Sequence, residues 1–332
     1  MSDAPVLVKQ ILEDAIHSMA TDIHFCLEEN QVSVHFRIIG IRKFHKFLTI
    51  EQYKILLSYY KYTGKLDIGE TRIPQQGAVS IKIRKGEYAL RISTLPSAKL
   101  ESLAIRILPQ EETLSIHELF LFRIQTNQIK KWLDERKGII LFTGPTGSGK
   151  TTSLYALIQS LKSEHNLQII TLEDPIEKRL HQTIQVPINQ QTGLTYDAGL
   201  KASLRHDPDV IMVGEIRDHE TAKFVVKAAY TGHLVLSTIH ANNAIGTIYR
   251  LLDMGIKKID IEQNIKFIAS VQLLPIQVEK YPNKRAAILE MLNNTQISQI
   301  LRDNSIPLTN FIEFNQLRRK AFAYGFLHNK FI

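Results

Sequence analysis

The chain has 332 residues and a mass of 38.0 kDa, about twice an average domain, so two domains are expected and a buried core is easily supplied. With 44% hydrophobic and 22% charged residues it is neither disordered nor fibrous, and its single cysteine, Cys26, excludes an internal disulfide framework and a four-cysteine zinc site. The net charge of +8, from 41 basic against 33 acidic residues, suits nucleic acid or an acidic membrane face, but the basic residues are scattered and read as general surface charge. Asp3, Glu13 and Asp14 stand where a signal peptide would carry a basic and then an apolar run. No stretch approaches the roughly 20 apolar residues of a membrane span, so a cytoplasmic protein is expected.

Val8, Ile11, Leu12, Ala15, Ile16 and Met19 share one face at helical spacing. The period then changes to two. Ile23, Phe25 and Leu27 alternate with polar neighbours, Glu29-Asn30 supplies a turn, and Val32, Val34, Phe36 and Ile38 alternate again, which predicts a hairpin. A second helix is expected from Glu51 to Lys61, and strands around Val79 to Ile83, Leu90 to Ile92 and Leu103 to Leu108. Residues 1–110 therefore read as a small α+β domain and residues 111–127 as a linker. From residue 128 to 332, short apolar strands at Ile139–Thr143, Gln168–Leu172 and Val210–Val213 alternate with helices, the pattern of a mainly parallel sheet covered on both faces.

The sharpest motif is Gly144-Pro145-Thr146-Gly147-Ser148-Gly149-Lys150-Thr151, followed by Thr152, between a predicted strand and a predicted helix. The glycines let backbone N–H groups curl round phosphate oxygens, Lys150 can reach the terminal phosphates, and the Thr151 hydroxyl can hold Mg²⁺. Asp207 to Asp218 encloses an apolar strand that ends in Glu215. Such a residue alone is a solvated strand end. With a phosphate loop present, the strand beside that loop delivers a carboxylate to Mg²⁺, through water, or to the attacking water, which makes Glu215 the candidate base. Thr171 to Glu177 closes another strand with Glu173 and Asp174, and Glu173 could meet Mg²⁺ through water. Thr231-Gly232-His233 leads through a further strand to Ser237–Asn243, where Thr238 and His240 suit sensing of a γ-phosphate by hydrogen bonding, as could His233.

In that order the four segments resemble the Walker A motif, Asp box, Walker B motif and His box of the hexameric motor ATPases of type II secretion, type IV pili and the competence pseudopilus. The likeness is close over Gly144–Tyr155, Thr171–Glu177 and Leu204–Leu252, and weaker from Thr21 to Leu292. It implies an N-terminal PAS-like α+β domain joined to a RecA-like P-loop ATPase domain, assembled as a homohexamer that binds ATP and Mg²⁺ between subunits. It also implies nucleotide contacts from Gly144 to Thr152, Glu173, Asp174, His233 and His240. Leu90-Arg91-Ile92-Ser93 and Ala104-Ile105-Arg106-Ile107-Leu108 look like the family segment whose arginines reach toward nucleotide. Arg91 and Arg106 are thus the candidate charge-stabilising residues, a role worth roughly 10³ to 10⁵ in rate in other P-loop enzymes.

Many assembly motors carry a four-cysteine zinc insert where this chain runs Leu273-Leu274-Pro275-Ile276-Gln277, so no zinc is expected, and no counterpart of the separate docking domain of larger members is expected either. Gln76, Ala78 and Ile39 occupy places where the family more often has an aspartate or an arginine. These features are most similar to the competence ATPases of Gram-positive bacteria. The resemblance then implies a motor at the cytoplasmic face of the membrane, acting on a polytopic inner-membrane platform protein with the linker as hinge and DNA involved only indirectly. A pilus retraction motor, a nucleic-acid translocase and a non-hydrolysing nucleotide-binding scaffold are the competing readings. The final segment, Phe311–Ile332, reads as a helix packed on its own domain or docked on a partner.

Overall fold

The computed structural model describes residues 4–38, 40–83, 86–98, 100–110, 114–164, 166–189, 193–276, 285–303 and 308–327. Two compact units divide the chain: Met1–Glu112 with Glu177–Arg179, and Thr113–Ile176 with Leu180–Ile332. Asp3, Ile39, Gln277 and the last five residues of the chain lie outside the described residues, and so does the start of the expected linker.

The first unit runs α1 (Ala4–His17), β1 (Asp22–Leu27), β2 (Gln31–Ile38), β3 (Ile41–Thr49), α2 (Ile50–Thr63), β4 (Gln75–Ile83), β5 (Gly86–Leu95) and β6 (Ser102–Pro109). The strands form an antiparallel sheet in the order β3-β2-β1-β6-β5-β4. Alternate residues bury one face: Ile23, Phe25, Val32, Val34, Leu90, Ile92, Leu103 and Ile105 join Val8, Ile11, Leu12 and Ala15 of α1 and Tyr53, Leu56 and Tyr60 of α2 in one core. The capping box of Thr49 and Gln52 starts α2. Strand β3 was not anticipated. Its apolar residues Ile41, Phe44 and Phe47 are exposed, and a register shift at Val34/His35 breaks its alternation, so burial supplies no period to read. Gln76 and Ala78 are exposed on β4.

The second unit continues with α3 (Ile116–Leu119), α4 (Arg123–Leu133), β7 (Gly138–Thr143), α5 (Lys150–Glu164), β8 (Ile169–Glu173), β9 (Ile184–Pro187), α6 (Tyr196–Ser203), β10 (Val210–Ile216), α7 (His219–Tyr230), β11 (Leu234–Ile239), α8 (Ala244–Asp253), α9 (Lys258–Asn264), β12 (Ile265–Pro275), β13 (Arg285–Asn293), α10 (Asn294–Arg302) and α11 (Phe314–Ala323). The sheet order is β13-β12-β7-β11-β10-β8-β9, parallel except for the antiparallel edge strand β13. Every residue of β7, β8 and β11 is buried, because helices cover both faces and build a separate core on each.

The stretch expected as a linker instead holds α3 and the start of α4. Ile116, Leu119, Ile129 and Trp132 are buried in the second unit's core, with Trp132 stacked 4.3 Å from Phe267 between ring centroids. Helix α3 is only four residues long, and the stripe that α4 buries includes polar Gln125 and Thr126 beside Ile129, Trp132 and Leu133, so the apolar period starts only near residue 128. At the other end, Leu317 and Ala321 of α11 pack with Phe122, Leu274 and Ile288. The C-terminal helix is therefore seated on its own unit. No described helix is long and apolar enough to cross a membrane.

Candidate functional site

Strand β7 delivers Gly144–Gly149 to the carboxyl edge of the parallel sheet, where open α/β sheets bind their ligands, and α5 begins at Lys150. Gly144, Gly147 and Gly149 have φ of +139°, +79° and +99°, conformations that side-chain-bearing residues rarely adopt. At Gly144 space is also closed: a Cβ there would lie 2.7 Å from Ser148 Oγ and 2.8 Å from the Val271 carbonyl oxygen. Pro145, Thr146 and Gly147 form an exposed crown over the buried Ser148 and Lys150, while Thr151 is half-buried and Thr152 exposed.

Lys150 Nζ donates to the carbonyl oxygens of Gly144 (2.9 Å) and Pro145 (3.0 Å), which holds its ammonium across the loop. The buried Ser148 hydroxyl has no partner. An ammonium, an unsatisfied hydroxyl and the first turn of a fifteen-residue helix around one exposed loop fit an anionic phosphate chain. Among the described residues no group of three or more His, Cys, Asp or Glu side chains could by itself hold a metal. A Mg²⁺ ion at the Thr151 hydroxyl fits that donor set only as a partner of phosphate oxygens and water, its usual company.

Glu215 ends β10 at the same edge and is half-buried, but its strand is not the neighbour of β7, as the sequence reading supposed. Strand β11 lies between them, paired in parallel with both. That insertion brings His240 to Glu215: Nε2 lies 2.8 Å from Oε1. The second oxygen, Oε2, lies 2.8 Å from Arg217 Nε, and Arg217 Nη1 lies 3.5 Å from Asp174 Oδ2. Donation from Ser237 Oγ to the Val213 carbonyl and from Thr238 Oγ1 to that of Gly214 stitches β11 onto β10 just before the pair. The hydrogen bond to Glu215 is the main cause that holds the Arg217 pKa above its ordinary value. Nearby, burial first and the Asp174 carboxylate second push the Tyr196 phenol up to about 12. Arg217 carries no motif position that singles it out in the sequence.

Two expected site residues are placed otherwise. Glu173 is only 2% exposed, and its carboxylate already accepts from Thr171 Oγ1 (2.6 Å), Gln185 Nε2 (3.1 Å) and the Tyr155 hydroxyl. It is a buried hydrogen-bond hub linking β8, β9 and α5, not a carboxylate presented to a metal's water. His233 precedes β11. Its carbonyl accepts from Gly138 N (3.1 Å) at the amino end of β7, and its ring meets the Thr231 hydroxyl at 2.8 Å. The six-residue strand β11 separates it from His240 by about 20 Å, on the opposite edge of the sheet from the phosphate loop.

Within the first unit, Arg91 and Arg106 are register partners on β5 and β6 and so share one face of the sheet. Arg91 Nη2 lies 3.3 Å from Glu177 Oε1, and Arg106 Nε lies 2.9 Å from Asp22 Oδ1. Burial alone would raise the Asp22 pKa, but hydrogen bonds from Arg106 and Thr21 outweigh it and hold the carboxyl below its ordinary value. Neither Asp22 nor Glu177 was singled out as a partner, because both lie more than 80 residues away from their arginines in sequence, 84 and 86 residues respectively.

The profile of the family described as type II/IV secretion system protein matches residues 2–316. Competence protein ComGA of Bacillus subtilis (strain 168) is 40% identical over 335 residues, spanning 96% of this chain and 94% of its own. Type II secretion system protein E of Pseudomonas aeruginosa is 41% identical over 277 residues, 82% of this chain and 55% of that longer one. The crystal structure of the pilus retraction motor PilT with bound ADP aligns with a TM-score of 0.72 at 30% identity and covers 97% of this chain and 94% of that one.

Proposed function

The chain belongs to the type II/IV secretion system protein family and is a P-loop ATPase, and from that premise we propose that it is a homohexameric motor whose ATP hydrolysis powers assembly of a type IV pilus-like pseudopilus for competence and DNA uptake. A role in competence is favoured over one in pilus retraction because the similarity to competence protein ComGA extends at 40% identity over nearly the whole of both chains, against 30% for the retraction motor PilT. The motor would work at the cytoplasmic face of the membrane on a polytopic platform protein, with DNA a downstream cargo and not a ligand.

The observation that carries the reading is that the Glu215–His240 pair and the phosphate loop with Lys150 lie at the same carboxyl edge of one parallel sheet. Backbone N–H groups of Thr146–Thr152 and the Lys150 ammonium hold the β- and γ-phosphates of ATP. When bound, a Mg²⁺ ion would be held by Thr151 and, through water, by Glu215, and would supply neutralisation of phosphate charge. Arg217 and His240 fix the Glu215 carboxylate, so that it orients the water that attacks the γ-phosphorus and receives its proton as the bond to the ADP oxygen breaks. His240, exposed on its outer side, also suits a hydrogen bond to the γ-phosphate. Arg91 and Arg106 are assigned the charge-stabilising role. For it they must exchange Glu177 and Asp22 for phosphate, which a half-exposed Arg106 can do at little cost.

Steady-state turnover of Mg-ATP by the wild type and by Glu215→Gln, without DNA, tests the assignment. Loss of roughly 10² to 10⁴ in kcat with nucleotide binding retained is expected. Equal turnover by the two proteins would remove Glu215 from the reaction, and turnover that requires DNA would favour the translocase reading.

A further inference from the structure

Glu290 belongs to the edge strand β13, is 5% exposed and has no place in the site described above. A buried carboxylate is destabilising unless hydrogen bonds compensate it, and here the donors are the starts of two helices. Phe314 N, at the start of α11, donates to Oε1 at 2.8 Å, and the N–H of Ala244, at the start of α8, also hydrogen-bonds the carboxylate. Both N–H groups lack an intrahelical partner, and both helix dipoles favour a negative charge at this place. Burial, the largest influence, still leaves the Glu290 pKa above its ordinary value. Oε2 is buried with no partner, and so is the hydroxyl of Ser270, the register partner on β12.

Ala244 follows directly on residues 240–243, the connection from β11 to α8 that bears His240. Register pairs run Glu290–Ser270–Thr143–Ile239–Ile216 across the sheet, so Glu290 lies level with the Glu215–His240 pair but about 19 Å from it across the strands. Direct contact is ruled out. Helix α8 packs on β12 and β13, so the connection leaves β11, passes β7 and is fixed at its far end by the Glu290 carboxylate. At its near end the Thr238 hydroxyl is bonded to the Gly214 carbonyl. His240 is exposed, so these two ends, and not burial of the ring, set where the imidazole stands.

We infer that Glu290 is a positioning residue for ATP hydrolysis: by holding the start of α8 it holds His240 against Glu215. The inference rests on the reading that the Glu215–His240 pair acts in hydrolysis. An apolar side chain of the same size would fill the same space, but only an acceptor binds the Ala244 N–H.

The test is steady-state Mg-ATP turnover by the full chain carrying Glu290→Met, Glu290→Asp, Glu290→Gln, His240→Gln, or Glu290→Met together with His240→Gln, alongside titration with a non-hydrolysable ATP analogue. Glu290→Met removes the acceptor and keeps the core filled, and Glu290→Asp withdraws the acceptor by one methylene. Each is expected to lower kcat roughly 10- to 100-fold with KM and analogue binding unchanged, so either one that folds carries the test. Glu290→Gln keeps an acceptor at Oε1 and presents a donor where Oε2 has no partner, and is expected to retain most of the turnover. The double variant should match His240→Gln alone within about twofold, whereas independent losses would multiply. Full turnover in Glu290→Met or Glu290→Asp, losses that multiply, or a Glu290→Gln protein as slow as Glu290→Met overturns the inference. Full turnover in His240→Gln overturns the catalytic reading of the pair and this inference with it, a result distinct from loss in His240→Gln alone.

Discussion

Charge placement decides which side chains act and which only hold. Arg106, Arg37 and Thr21 all converge on Asp22, at 2.9 Å, 3.9 Å and 2.8 Å, and against the upward pull of burial the hydrogen bonds from Arg106 and Thr21 keep its carboxyl pKa below the ordinary value. A folded pKa below the unfolded one contributes stability that is present above the unfolded value and is lost as pH falls through the folded value. Asp22→Asn is therefore expected to lower the thermal midpoint at neutral pH and to match the wild type in strong acid, as scanning calorimetry across that range would show. A midpoint difference independent of pH would mean that the pair contributes packing alone. Glu215 and Lys150 were both evident from their motifs. Asp22, Arg217 and Tyr155 were not, because each becomes meaningful only through a neighbour that the folded chain supplies.

Among the elements, strand β7, the glycine loop and helix α5 form the unit on which the site is built, and its glycines are not equivalent. At Gly144 a methyl group would meet the Val271 carbonyl, which is backbone and cannot step aside, whereas at Gly147 the same methyl points into open space. Gly144→Ala is expected to weaken nucleotide binding strongly and to cost roughly 1–3 kcal/mol of stability or more. Gly147→Ala should cost only the strain of its positive φ, about 1 kcal/mol. Denaturant unfolding and nucleotide titration of the two variants separate these cases, and equal losses would show that strain, not space, governs the loop. The hairpin β1–β2 and the parallel strands could be read from period and composition, since a strand buried on one face alternates and one buried on both runs apolar. Strand β3 and helix α3 were hidden, because exposed apolar residues and a four-residue capped helix carry no lasting period, whereas α4 was expected from Gln128 on.

For the whole molecule, each unit encloses its own core, the first around α1 and α2 and the second on both faces of the parallel sheet. The proposed ring adds a level above both. If activity belongs to that ring, specific ATPase activity should fall on dilution as the ring dissociates and return on concentration, read by turnover alongside light scattering. Constant activity in dilute monomer would refute the ring requirement. The sequence by itself determined the phosphate loop, the α/β character of the second unit and the family, since consecutive residues dictate local backbone conformation through sterics and burial period. Only the tertiary structure decided that β11 stands between β7 and β10, that His240 rather than His233 joins Glu215, and that Glu173 is buried among hydroxyl donors. Those outcomes depend on strand order and crossover connections, which bring together residues that no local spacing relates.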